Sequence, residues 1–122
     1  MSCKVMIVDD AIFVRMMVRQ FLVLLGHTDI LEAKNGFEAI EIYKANAPAI
    51  TILDITMPEL DGLSALKEII SFDPTAKVIM CSAIAQGNVV REALDLGAIG
   101  FIAKPFHLDE LGKLITNYLN PN

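Results

Sequence analysis

AITILD, residues 49–54, is a short apolar run that ends in an acid. It is too short for an independent helix and rich in β-branched side chains, so it reads as a buried strand with a carboxylate at its carboxyl end. Three other segments have the same form. KVMIV (4–8) runs into Asp9 and Asp10, KVIMC (77–81) into Ser82, and GFIA (100–103) into Lys104. Between them lie longer stretches with helical spacing, which makes the order β-α repeated five times. In an alternating α/β chain the carboxyl ends of the strands share one edge of the sheet, so these distant residues are expected to meet in one crevice.

The helix ends are signalled locally. Asn35 and Glu38 have the separation of a capping box and open a helix through GFEAIEIYKANA (36–47), which Pro48 closes. Gly26 ends the first helix, FVRMMVRQFLVLLG (13–26). Asp61 caps LSALKEIISF (63–72) ahead of Pro74, and Gly97 follows VVREALDL (89–96), where a left-handed residue is needed. The last helix starts near His107, with Asp109 and Glu110 in the turn where the helix dipole favours negative charge.

A chain of 122 residues that is 54% hydrophobic is expected to form a single domain, 1–122, with a core flanked by helices on both sides. No apolar stretch approaches the roughly 20 residues of a membrane span. The start MSCKVMIVDD is not a signal peptide. The expected setting is therefore soluble and cytoplasmic, without a membrane partner. The formal net charge of -5 argues against direct nucleic-acid binding, which needs a phosphate-neutralising basic stripe. Cys3 begins one strand and Cys81 ends another. Sheet positions with a strand between them lie about 10 Å apart, beyond the roughly 7 Å a disulfide tolerates, so both are expected to be free thiols.

Two carboxylates about 4 Å apart repel by about 4 kcal/mol at an effective dielectric of 20, so three in one crevice call for a cation or a raised pKa. A hard divalent ion answers this. Mg²⁺ suits the set better than Ca²⁺, because it accepts few carboxylates, retains waters and pairs with phosphate, and no EF-hand loop is present. Such an ion screens an incoming dianion from the acids and polarises it for attack. Asp54, on the central strand, is then placed as a nucleophile that forms an aspartyl phosphate. Lys104 and the Ser82 hydroxyl are placed to hold phosphoryl oxygens.

Each element alone has a plainer explanation. An Asp-Asp pair after a strand is commonly a turn and a helix N-cap, Asp54 can cap a turn before Pro58, and a single lysine is usually solvated. The combination carries the reading, because four strands deliver a fitting group to the same edge. His27 and His107 read as loop or helix-end residues and not as phosphodonors.

Four blocks, IVDD (7–10), LDITMPELDG (53–62), CSA (81–83) and GAIGFIAKPF (97–106), resemble the receiver domain of two-component response regulators, in that family's order and spacing. Among receivers the chain is most similar to the single-domain chemotaxis regulators. The resemblance, and not the strand positions, supplies the expected fold: a doubly wound, flavodoxin-like parallel sheet of five strands in the order 2-1-3-4-5, with helices on both faces.

It also implies roles. Asp54 would be the phosphoacceptor. Asp10 and Asp54, with the backbone carbonyl of Thr56, would hold Mg²⁺, and Asp9 would orient a metal-bound water. Ser82 and Lys104 would sense the phosphoryl group, and Phe101 would be the aromatic switch that turns inward when Ser82 moves, although a buried strand needs no special reason for an aromatic. The Lys104–Pro105 bond is expected to be cis. Some positions depart from the common pattern. Leu60 stands where methionine is frequent, Phe101 where chemotaxis relatives have tyrosine, and Ile84 where several relatives place a polar side chain. Ile84 offers no hydrogen bond to an attacking water, which implies slow self-dephosphorylation.

The implied activity is that of a phosphorylation-activated regulator and not an enzyme acting on external substrates. A histidine kinase would charge it, a phosphatase would reset it, and it would act on a flagellar motor or switch protein. A stand-alone phosphorelay intermediate serving a histidine phosphotransfer protein is the alternative. An aspartyl-nucleophile hydrolase usually shows a second acid two residues on, where this chain has Thr56. A receiver cut from a longer transcription regulator is a further alternative. Output is expected to arise as a population shift over the helix from Asn88 to Leu96, the strand with Phe101 and the last helix. At 100° per residue Arg15, Arg19 and Leu22 fall on the outer side of the first helix, flanked by Ile12 and Val23, a face on which a kinase or phosphotransfer bundle could dock.

Overall fold

Three strands are buried along their whole length: β1 (Val5–Val8), β3 (Ile50–Asp54) and β4 (Val78–Ser82). Their near-continuous apolar runs are what a sheet covered on both faces requires. With β2 (Ile30–Ala33) and β5 (Gly100–Ala103) they form one parallel sheet in the order β2-β1-β3-β4-β5. The connections are α1 (Ile12–Leu24), α2 (Gly36–Asn46), α3 (Gly62–Phe72) and α4 (Gly87–Asp95), and α5 (Leu108–Leu119) follows β5. The computed structural model describes residues 3–57, 59–83, 87–104 and 107–119. The expectations about Ile84 and about the Lys104–Pro105 bond lie outside the described residues.

Alternation along the strands divides the core in two. Val5, Ile7, Ile50, Ile52, Ile79, Cys81 and Ile102 face α1 and α5, where Val18, Leu22, Leu111 and Ile115 cover them. Met6, Val8, Leu53, Val78 and Met80 face α2, α3 and α4, whose Ala39, Tyr43, Leu66, Ile69 and Ala93 fill the other side. The register sets Asp54 opposite Cys81 and Ser82 opposite Ala103, which brings the carboxyl ends of β3, β4 and β5 into line. Cys3 is exposed, Cys81 is buried, and both are free.

The caps follow the expected chemistry with one change of partner. The Asn35 side chain accepts the Glu38 N–H at 2.8 Å, but the Glu38 carboxylate accepts the Lys34 N–H at 3.0 Å, one residue before the cap. Asp61 accepts the Ser64 N–H at 2.8 Å. Ala47 takes a left-handed φ of 46° to end α2 ahead of Pro48. Gly26 and Gly97 close α1 and α4 with φ of 94° and 115°, conformations that glycine adopts without a Cβ penalty.

The expected outer face of α1 is corrected. Leu22 is 0% exposed and belongs to the core against β1 and β3, and the Arg15 side chain is only 13% exposed. The solvent side is instead Ile12, Phe13, Met16, Val23 and Leu24, with Phe13 74% and Leu24 85% exposed. Arg15 and Arg19 are turned toward β2, where the two carboxylate oxygens of Glu32 accept from their Nε atoms at 2.9 and 2.7 Å. This register of α1 has a direct consequence: Leu22→Ala is expected to cost about 2–5 kcal/mol of stability in urea unfolding, whereas Leu24→Ala should stay within about 0.5 kcal/mol of the native chain. Equal losses at the two positions would contradict the register.

Candidate functional site

Asp9 follows β1 directly, Asp54 is the last residue of β3, Ser82 the last of β4, and Lys104 follows β5. Carboxylate oxygens of Asp9, Asp10 and Asp54 all lie within 4.8 Å of one another. Lys104 reaches back from beyond β4, and its Nζ sits 2.7 Å from Asp9 Oδ2 and 3.2 Å from Asp54 Oδ2. The four residues thus meet at one sheet edge, as the strand ends require. Asp9 and Asp54 are buried, and Asp10 is exposed.

The electrostatics follow from that crowding. Burial, and then the negative charge of Asp9, push the Asp54 carboxyl above its usual range, while Lys104 and the backbone amide of Thr56 pull the other way. Burial also opposes the charge of Lys104, but the hydrogen bond to Asp9 and the charge of Asp54 outweigh it and hold the ammonium above the ordinary lysine value. The Cys81 thiol is pushed far up by burial and by Asp54, so it stays protonated and inert. Three carboxylates face one ammonium. Their donor atoms are all hard oxygens, a set that suits a hard divalent cation such as Mg²⁺.

Backbone contacts hold the acids in place. The Asp9 N–H donates to the Ala33 carbonyl at 3.1 Å, and Asp9 Oδ1 accepts the Ala11 N–H at 2.9 Å. After β3 the chain turns back on itself so closely that a Cβ on Gly62 would lie 2.1 Å from the Asp54 carbonyl oxygen, and the Gly62 N–H donates to the Ile55 carbonyl at 2.8 Å. A Cβ on Gly36 would lie 2.8 Å from the Leu60 carbonyl oxygen, so the same loop also rests on the start of α2. Both glycines are needed for backbone approach.

The remaining expected site residues lie on β4, on β5 and in the loop after β3. Ser82 is buried at the end of β4 next to β3. Thr56 is exposed in the loop after β3. Phe101 pairs with Met80 in register and packs, partly buried, against the core on the α2, α3 and α4 side. Three contributors were not singled out as site residues in the sequence: Gly62, Gly36 and Arg15, whose Nη1 donates to the Asp9 carbonyl at 2.6 Å. Asp61-Gly62 is a recognisable turn signal, but nothing local announces the approach to Asp54 or the reach of Arg15.

Comparison with known proteins agrees with this geometry. Residues 5–116 match the model of the response regulator receiver domain. The chain is 47% identical over 120 residues to the chemotaxis protein CheY of Bacillus subtilis, covering 98% of this chain and 100% of that protein. It is 50% identical over 106 residues to CheY of Thermotoga maritima, covering 87% and 88% of the two chains. Among solved structures, the CheX–CheY–BeF3–Mg²⁺ complex of Borrelia burgdorferi contains a chain that superposes with a TM-score of 0.92 at 35% identity, covering 96% of this chain and 89% of that one. With the matched segment, these relatives and the 2-1-3-4-5 sheet taken together, the chain belongs to the response regulator receiver domain family as a CheY-like chemotaxis regulator.

Proposed function

We propose that Asp54 accepts a phosphoryl group from a histidine kinase and that the modified protein switches its binding to a motor-switch partner in chemotaxis. The supporting observation is the convergence of Asp9, Asp10 and Asp54 around an ammonium bonded to both buried acids. Mg²⁺ held by Asp10, Asp54 and the Thr56 carbonyl would offset the carboxylate charge and polarise the incoming phosphoryl group.

A carboxylate oxygen of Asp54 attacks phosphorus in line with the phosphohistidine nitrogen. The O–P bond forms as the N–P bond breaks, and the departing imidazole keeps the bonding pair and takes a proton from solvent. Lys104, already within reach of Asp54 Oδ2, moves its hydrogen bond to a phosphoryl oxygen while Asp9 keeps it charged. With the ion bound, Asp9 would also orient one of its waters. The Ser82 hydroxyl donates to another phosphoryl oxygen, and Phe101, on the next strand, follows it inward. Taking such an equilibrium from roughly 1:99 to 99:1 requires about 5.5 kcal/mol of differential interaction, which the charge-assisted contacts of an acyl phosphate must supply.

Exposure and position support a reading of the partners. The apolar side of α1, with Ile12, Phe13 and Met16 beside Asp10, is the surface on which the phosphodonor docks. The Borrelia CheY is found with CheX. A CheX-type protein that removes the phosphoryl group is the fitting counterpart here.

Incubation with acetyl phosphate and Mg²⁺ is expected to raise the intact mass by one phosphoryl group, with no adduct in chelator or in Asp54→Asn. An adduct that persists in Asp54→Asn contradicts the assignment. The electrostatics give a second expectation. Because the folded-state pKa of Asp54 lies above its ordinary 3.8, the folded chain binds that proton more tightly than the unfolded chain, so ionised Asp54 costs stability at neutral pH, and the cost fades as pH falls through the raised value toward 3.8. Without divalent ions, Asp54→Asn should melt above the native chain near about pH 7, with the difference narrowing toward about pH 4. A constant difference, or a lower melting temperature at neutral pH, would contradict this.

A further inference from the structure

Asp10 is the exposed member of the acid cluster, and among the described residues no hydrogen bond holds its carboxylate. Its placement therefore depends on the backbone that carries it. The Asp9 carbonyl shares a peptide plane with the Asp10 nitrogen and Cα, so whatever holds that carbonyl holds the point from which the Asp10 side chain extends. Arg15 fixes it, with Nη1 donating to the Asp9 carbonyl at 2.6 Å.

Arg15 is itself anchored. Its Nε donates to Glu32 Oε1 at 2.9 Å, and Glu32 Oε2 accepts from Arg19 at 2.7 Å, so both oxygens of the carboxylate are engaged. Burial tends to raise the Glu32 pKa, but the two guanidiniums outweigh it and keep the group ionised. The planar fork spans two acceptors in fixed directions, which an ammonium cannot do. The chain of contacts runs from β2 through α1 to the corner after β1.

We infer that Arg15, held by Glu32, is a positioning residue that anchors the backbone from which Asp10 reaches the divalent-ion site. The inference rests on the reading that these carboxylates hold Mg²⁺. Charge alone predicts the opposite sign, because a guanidinium beside the acids repels a cation and its removal would tighten binding. Loss of an outer-shell contact that orients a ligand weakens metal affinity by about tenfold or more.

The test is calorimetric titration of Mg²⁺ into the full chain and into Arg15→Met, Arg15→Lys and Glu32→Gln, with thermal melting to show that each is folded. Arg15→Met should raise the Mg²⁺ Kd about tenfold. Arg15→Lys keeps the charge without the fork and should not restore affinity, and Glu32→Gln should weaken binding in the same direction. Unchanged or tighter binding in Arg15→Met, or full affinity in Arg15→Lys, overturns the role of Arg15. If Arg15→Met does not fold, Arg15→Gln, which removes the same charge, decides by the same criterion. A native chain that binds no Mg²⁺ overturns the metal reading and this inference with it, whereas native binding with indifferent variants overturns this inference alone.

Discussion

Repulsion among Asp9, Asp10 and Asp54 is the constraint on which the rest of this structure depends. Their oxygens lie within 4.8 Å of one another, two of the three residues are buried, and one ammonium faces them. Like charges at such a separation are unfavourable by a few kcal/mol even in a partly solvated site, roughly 3–4 kcal/mol per pair at an effective dielectric of 20. Folding alone would not favour this arrangement. It is held by the elements that deliver each group.

Several parts of the fold make sense as supports for that edge. Parallel registry puts the ends of β1, β3, β4 and β5 together, and the two apolar layers fix the sheet from both sides. The Ala33 carbonyl and the Ala11 amide bind Asp9, while Gly62 and Gly36 let the loop after β3 pack onto Asp54 and onto α2. Lys104 comes from the far end of the chain to occupy the space between Asp9 and Asp54. A site loaded with repulsion that a cation would relieve is a natural place for a switch, because adding a ligand changes the balance among the same side chains.

Much of this was legible in the sequence. Runs such as AITILD and KVIMC admit one assignment, and Asn35, Asp61, Gly26 and Gly97 mark helix ends by local chemistry that the structure reproduces. The strand order came through family resemblance, since short parallel strands carry no local record of their neighbours. The face of α1 is hard to read because IFVRMMVRQFLVL is apolar on most sides, which leaves the arginines as the main contrast. Those arginines were expected to face solvent, but Glu32, on β2 and 17 residues beyond Arg15, draws Arg15 inward together with Arg19. A pairing at that separation has no periodic signature. Gly62 was similarly hidden, because its role lies in what its missing Cβ would strike.

The proposed cation site is formed by the three carboxylates together. The most direct measurement is the Mg²⁺ stoichiometry and affinity of the native chain, by equilibrium dialysis, beside a chain with both Asp10→Asn and Asp54→Asn. One ion per native chain and none at the same concentration in the doubly substituted chain is the predicted result. Equal binding by the two chains, or none by the native protein, would contradict the account.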